Sequence, residues 1–290
     1  MPESVICQIC GSTETRLIQD THVSLKSTAI ELVKCVQCGL VYLNPQPVDE
    51  EIRQLYSDDY FIQWYSSEEK REFSRKFFHN LFAHNQLMMN GRGRLLDVGC
   101  GMGFFLEVAR EWSWDVKGVE ISPYASEHCR EKMGLDVHTG TLESAEYESG
   151  EFDVITAFDV LEHLTDLPGF LSSVRRILKK DGRFLVIVPN YDSPVFQLDR
   201  IICGLKKAPM PNIPEHLTYF RSDTLEKLFQ TNELRVEMLT TTGANDEGAY
   251  LRVGGGVMAA VRSLLNNISY KYGNVANRKE SILAVARKVN

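Results

Sequence analysis

The sequence predicts an α/β fold, a doubly wound and mostly parallel sheet preceded by a small cysteine-bearing ribbon. Three observations predict it. From residue 91, short apolar runs alternate with helix-like segments, the grammar of a sheet covered on both faces. "LLDVGCGMG" (95–103) leads from the first of those runs into a helix through three glycines. Ahead of it stand two C-x2-C pairs, Cys7/Cys10 and Cys35/Cys38.

The elements follow in order. Residues 1–45 read as short β-runs with turns, and "TAIELVKCVQCGLVYLNP" alternates apolar and polar positions. "NPQP" (44–47) marks a boundary, because two prolines interrupt regular structure. Residues 46–90 read as a helical linker or cap. "VDEEIRQLY" (48–56) is one helix, and "FSRKFFHNLFAHNQLMM" (73–89) carries an apolar stripe of Phe73, Phe77, Leu81 and Phe82. The main domain is expected over 91–255. After its first strand and glycine turn comes the strand "DVKGVEIS" (115–122). The helix "PYASEHCREKMG" (123–134) has Pro at its favourable first position. "LDVHTGTLES" holds a third strand and "FDVITAFDVLEHL" (152–164) a fourth. "LPGFLSSVRRILKKDG" is a helix running to Asp181-Gly182, and "RFLVIVPN" (183–190) is the fifth strand. Residues 190–220, rich in Pro and aromatics, read as an irregular insertion. A helix (221–232) and a strand (233–243) follow, and 256–290 is the C-terminal tail, its last 20 residues polar and expected to be loosely held.

Composition narrows the function classes. Of the 290 residues 43% are hydrophobic and 24% charged, the balance of a soluble globular protein. The net charge of -7 is a poor footprint for phosphate backbones, so nucleic acid is not an expected partner. "MPESVICQIC" lacks a basic stretch followed by an apolar core, and no signal peptide is expected. No run reaches the roughly 20 apolar residues of a membrane span; "VGGGVMAAVRSLL" is interrupted by Arg262. The expected compartment is the cytoplasm, where thiols stay reduced and paired cysteines bind metal.

Gly99, Gly101 and Gly103 let the backbone turn sharply and approach a ligand closely. The spacing is not G-x-G-x-x-G, so nicotinamide and flavin are disfavoured. Asp97 would repel a pyrophosphate and attract a cationic group. Glu120, 23 residues after Asp97, ends the second strand, where an acid can take both hydroxyls of a ribose. An adenosine ligand with a positive centre and no phosphates satisfies all three, and S-adenosylmethionine fits.

At this point the chain resembles the class I S-adenosylmethionine-dependent methyltransferases. The matching stretches are "LLDVGCGMG", "VKGVEIS", "FDVITAFDVLEHL", "ILKKDGRFLVIVPN" and "HLTYFRSDTLEKLF", spanning about half the chain, residues 93–230. The resemblance implies a Rossmann-like, seven-stranded sheet with its ligand across the carboxyl ends of strands 1 and 4. It implies that Asp97, Gly99, Cys100 and Gly101 meet the methionine end of the cofactor. Glu120 would then hold the ribose, with Ile121 beside the adenine. The resemblance further implies that Thr141 and Leu142 flank the adenine, that Phe158 and Val160 line the methionine side, that His163 walls the pocket and that the 190–220 insertion covers the acceptor.

Methyl transfer requires alignment of nucleophile, methyl and sulfur, plus a base when the nucleophile carries a proton. Two Glu-His pairs stand out, Glu162-His163 and Glu215-His216. The segment "EHLTYF" (215–220) is similar to one in sugar C-methyltransferases that act on ketosugar nucleotides. That likeness implies His216 as general base, Glu215 orienting or substituting for it, and Tyr219 binding a substrate oxygen. Those enzymes carry a further C-terminal domain for which these residues leave no room, which keeps O-methylation open. The expected acceptor is a small molecule, a sugar nucleotide or similar metabolite. A ribosomal RNA base methyltransferase with a zinc ribbon, and a non-catalytic zinc-ribbon scaffold, are the alternatives.

Cys7, Cys10, Cys35 and Cys38 form C-x2-C-x24-C-x2-C. The span is longer than the usual roughly 15–20 residues of a zinc signature, but a hairpin fills it. A tetrathiolate site is closed, so Zn2+ here is structural. Cys100, Cys129 and Cys203 have no such spacing and read as packing residues.

Overall fold

The computed structural model describes residues 5–25, 28–48, 51, 68–84, 93–210, 212–242 and 280–289. The helix expected over 48–56 and the apolar stretch 253–265 lie almost wholly or wholly outside them. Among the described residues no helix is long and apolar enough to cross a membrane.

Two sheets form. The larger has the order β10-β11-β8-β7-β4-β5-β6. Its parallel part is β4 (Arg94–Val98), β5 (Asp115–Glu120), β6 (Asp136–Thr139), β7 (Phe152–Phe158) and β8 (Leu178–Pro189). Strands β10 (Leu234–Thr242) and β11 (Ser281–Lys288) complete it, β11 running antiparallel to both of its neighbours. Successive side chains of a strand face opposite ways, and both faces are apolar. Leu95 and Leu185 enter one core with Phe78, Phe82, Phe105 and Val108, from α1 (Glu68–His84) and α2 (Phe104–Glu111). Leu96 and Val186 enter the other with Leu171 and Val174 of α4 (Leu167–Ile177). Between them in sequence, α3 (Pro123–Met133) starts as expected: Ser122 caps it by accepting from the Ala125 N–H, and Pro123 follows.

Three expectations are corrected. The helix expected to reach Asp181-Gly182 ends at Ile177. Leu178 turns extended and pairs with Phe152, since both are fully buried there and the sheet gains a longer strand. Residues 190–220 are not simply irregular, because α5 (Pro194–Lys206) lies within them, its N-terminus capped by Ser193. The Ser-Pro start that marks α3 recurs at Ser193-Pro194 and was the available signal. The tail ends in β11, inserted between β8 and β10. Ile282, Ala284 and Ala286 are buried on one side and Val285 on the other. This alternation is short, and its polar flanks concealed it.

The smaller sheet has the order β1-β2-β3-β9, with β1 (Thr15–Leu25), β2 (Thr28–Cys35) and β3 (Val41–Asn44) from the ribbon. Its fourth strand, β9 (Thr218–Tyr219), comes from the insertion: Val41 pairs with Tyr219 and Tyr42 with Thr218. After β9, α6 (Ser222–Thr231) packs Leu225, Leu228 and Phe229 into the core that also holds Cys35, Leu40 and Tyr42. Ribbon and main domain therefore share one core.

Removing residues 280–290 should unfold the protein, because it strips β11 from between two strands. The expected loss matches a whole folding stability of roughly 5–15 kcal/mol. Thermal circular dichroism of the truncated chain should show no cooperative transition.

Candidate cofactor and acceptor site

The glycine turn hangs from the end of β4. Gly99 and Gly101 have φ of 71° and 52°, and Gly103, at 80°, opens α2. At Gly99 a Cβ would lie 2.5 Å from Val160 Cγ2, so this turn and the loop after β7 press together. The Gly99 N–H donates to Val119 O (2.8 Å), locking the turn onto β5.

Two acids meet here. Glu120 is almost wholly buried, and its carboxylate accepts from the N–H groups of Gly101 (2.8 Å) and Ser122 (2.9 Å). Burial raises its pKa against those two donors. Asp97 is also buried and accepts from Thr156 Oγ1 at 2.6 Å. Burial pushes it up to about 7; the Thr156 bond opposes and the Glu120 charge adds. Thr156 carries no sequence motif and was not expected. Next to Glu120 opens a cavity of about 470 Å³, lined by Ile121, Ser122, Thr139, Gly140, Thr141 and Ser144. Its rim is braced by a hydrogen bond between the Ser126 and Thr139 hydroxyls (2.7 Å) and by one from Ser144 Oγ to Thr141 O (2.8 Å).

Ile121 and Thr141 thus line the cavity, whereas Leu142 is 3% exposed and packs in the core. Cys100 is buried, its sulfur under Gly118, so it offers a ligand its backbone alone. Phe158 stacks on Phe78 (6.1 Å between centroids) and meets Phe105 edge-on (5.0 Å).

On the far side, a 3-10 turn at Leu161–His163 follows β7. His163 Nδ1 lies 2.8 Å from Glu215 O. A carbonyl only accepts, so Nδ1 carries the hydrogen and Nε2 the lone pair of the neutral ring. Burial holds His163 down at about 4, opposed by that bond. The His163 and His216 rings meet edge to face at 4.7 Å, and Tyr219 lies 6.3 Å from His216. Glu162 is 1% exposed, and neither carboxylate oxygen has a hydrogen-bond partner among the described residues. Burial, reinforced by Asp159, pushes its carboxyl well above the usual range. His163, expected on the cofactor side, thus contacts the Glu215–His216 segment. Glu162 joins them as a residue whose burial no sequence pattern announces.

The four ribbon cysteines converge. Cys7 and Cys38 sulfurs are 3.3 Å apart, Cys10 and Cys35 sulfurs 3.6 Å, and all four lie within 4.8 Å of one another. A disulfide needs about 2.05 Å, whereas a tetrahedral Zn2+ with Zn–S of about 2.3 Å spaces its sulfurs by roughly 3.8 Å. Two matching knuckles present them, with Gly11 N–H on Cys7 O and Gly39 N–H on Cys35 O. Burial pushes the Cys7 and Cys38 thiols up, a penalty a cation would offset. The donor set fits a structural zinc ion.

A parallel sheet closed by an antiparallel β11, with a glycine turn and paired acids at its switch point, defines a class I methyltransferase domain. The profile of a methyltransferase-domain family matches residues 55–239, and the chain belongs to that S-adenosylmethionine-dependent family. It is 36% identical over 107 residues to a ubiquinone biosynthesis O-methyltransferase of Methylococcus capsulatus, 34% of this chain and 44% of that enzyme. It is 30% identical over 149 residues to the uncharacterized methyltransferase YcgJ of Bacillus subtilis, 49% of this chain and 56% of that one. The chain thus matches about half or less of the length of these relatives. A SAM-dependent methyltransferase from Archaeoglobus fulgidus shares the fold, with a TM-score of 0.56 at 20% identity over 80% of this chain and 100% of that one. The PH0226 protein of Pyrococcus horikoshii does too, with a TM-score of 0.51 at 19% identity over 84% and 100%.

Asp97 should make cofactor binding pH-dependent. Its folded pKa lies above the roughly 3.9 of an unfolded chain. The stability it confers on the ligand-free protein is therefore complete below about 4 and lost as pH rises through about 7. A cationic ligand prefers the ionised form, so S-adenosylmethionine affinity should rise about tenfold from pH 6 to 8. Calorimetry should show this slope in the native protein and a flat profile in Asp97→Asn.

Proposed function

We propose that the protein transfers a methyl group from S-adenosylmethionine to a small hydroxylated or keto metabolite, a nucleotide-linked sugar or a related compound, on oxygen or carbon. The observation that carries the reading is the convergence of Glu162, His163, Glu215 and His216 beyond the glycine turn. Polar side chains from two separated segments meet there, at the edge of a domain whose family handles this cofactor. The cofactor supplies an electrophilic methyl: its C–S bond breaks with the electron pair left on sulfur as the acceptor atom takes the methyl. Asp97 would hold the methionine ammonium, Glu120 the ribose hydroxyls, and Ile121 and Thr141 the adenine. Gly99, Gly101 and the Cys100 backbone admit the ligand closely, while Val160 and Phe158 wall the methyl side. The proton released by the acceptor passes to the Glu215–His216 pair, and Tyr219 offers its buried hydroxyl to an acceptor oxygen.

The ribbon folds around one zinc ion held by Cys7, Cys10, Cys35 and Cys38. Through β3 it fixes the strand that follows His216, so it serves the acceptor side without touching the transferred methyl. This favours a role in presenting His216 over packing alone.

His216→Ala should leave S-adenosylmethionine binding within about twofold and lower turnover on a nucleotide-sugar acceptor by about 100-fold or more; undiminished turnover would remove His216 from the chemistry. Elemental analysis after gel filtration should find zinc bound to the cysteine cluster, and Cys38→Ser should lose that zinc together with cooperative folding of the ribbon. Four freely titrating thiols and no zinc would exclude the structural ion.

A further inference from the structure

We propose that Glu162, His163 and His216 form a binding site for a divalent first-row transition cation, distinct from the cysteine cluster. One ligand atom from each of the three lies within 4.8 Å of the others. An ion bonded at about 2.0–2.2 Å to a carboxylate and two imidazoles needs such a triangle, closed slightly.

Glu162 is the strongest indication. At 1% exposure, with both carboxylate oxygens lacking a hydrogen-bond partner among the described residues, it is an acid sealed in the interior without a donor. Buried carboxylates are retained when paired with charge or bound to metal. His163 Nε2 lies 3.9 Å from Glu162 Oε1. That nitrogen holds the lone pair, because Nδ1–H is committed to Glu215 O at 2.8 Å. A ligating imidazole anchored through its other nitrogen to a backbone carbonyl is the usual outer arrangement of a metal site.

The positions are also fixed. Leu217 N–H donates to Glu162 O (2.7 Å) and His216 N–H to Asn212 O (2.8 Å), so the turn bearing Glu162 and His163 and the segment bearing His216 are tied by backbone. Two imidazoles and one carboxylate differ from four thiolates: they suit Mn2+, Fe2+, Co2+ or Zn2+ and leave coordination positions open. Those positions take one or two oxygens of the acceptor, which points to a vicinal diol or hydroxy-ketone. A bound hydroxyl becomes more acidic on the cation. With the His216 ring as ligand, Glu215 is the member of the pair that accepts the proton. This consequence rests on the methyltransferase reading; the cation site itself does not.

The test uses the full chain with its cysteine cluster loaded with zinc. Mn2+ is titrated and the free ion followed by electron paramagnetic resonance, and Zn2+ is titrated by calorimetry under the same conditions. The expected result is one further equivalent per chain for at least one of the two ions. Affinity should be about tenfold weaker or worse in Glu162→Gln and His163→Gln, with S-adenosylmethionine binding retained as the check on folding. Should Glu162→Gln or His163→Gln cost the fold, His216→Gln carries the same expectation. No further equivalent of either ion, or one bound equally well by the variants, would overturn the site. Cation binding without methyl transfer to any diol or hydroxy-ketone would sink the proposed function and leave the site. Methyl transfer in a protein that binds neither ion would do the reverse.

Discussion

Leu217 is fully buried, and its backbone is used twice. The N–H donates to Glu162 O at 2.7 Å, while the carbonyl accepts from Leu43 N–H at 2.9 Å and Gln46 Nε2 at 3.4 Å. One residue thus joins the turn after β7, the ribbon strand β3 and the chain leaving it. Buried backbone groups must be paired, so none of the three can move without breaking a bond in the interior. His216 and Tyr219 flank this residue within the sequence 216–219, and their positions follow from it. The ribbon is tied to the segment carrying His216 because its sheet continues into β9.

The cofactor end obeys a different constraint. Asp97 and Glu120 sit at the carboxyl ends of neighbouring parallel strands, both buried. Their mutual repulsion adds to the burial cost at Asp97. Such a pair is poorly suited to an empty interior and well suited to a ligand that brings an ammonium and two hydroxyls. Thr156 and the N–H groups of Gly101 and Ser122 hold the carboxylates in place meanwhile. Glu162 repeats the theme of a buried acid, though with no side-chain donor among the described residues.

Much of this was legible in the residues. The alternation of strand and helix from 93 to 189, the Ser122-Pro123 helix start, the glycine turn, Asp97 and Glu120 all follow from local pattern and chemistry. So does the pairing of cysteines, since a C-x2-C knuckle is local geometry. Thr156 was illegible because a single threonine in an apolar strand has no signature. Leu142 sat one position past the cavity-lining Thr141, and only burial separates them. The helix at 194–206 was hidden by the prolines and aromatics around it.

Local pattern therefore determined the class of the domain, the acids at its strand ends and the cysteine set, since each depends on residues close in sequence. Tertiary structure alone decided where β11 goes, that the ribbon sheet takes its fourth strand from 218–219, and that Glu162 and His163 meet His216. Each joins segments separated by 50 to more than 170 residues, as with Val41 and Tyr219 or Leu43 and Leu217. Partner choice at that range is set by which exposed strand edge and which apolar face remain to be covered once the rest has folded, and neither quantity is written in the spacing of residues along the chain.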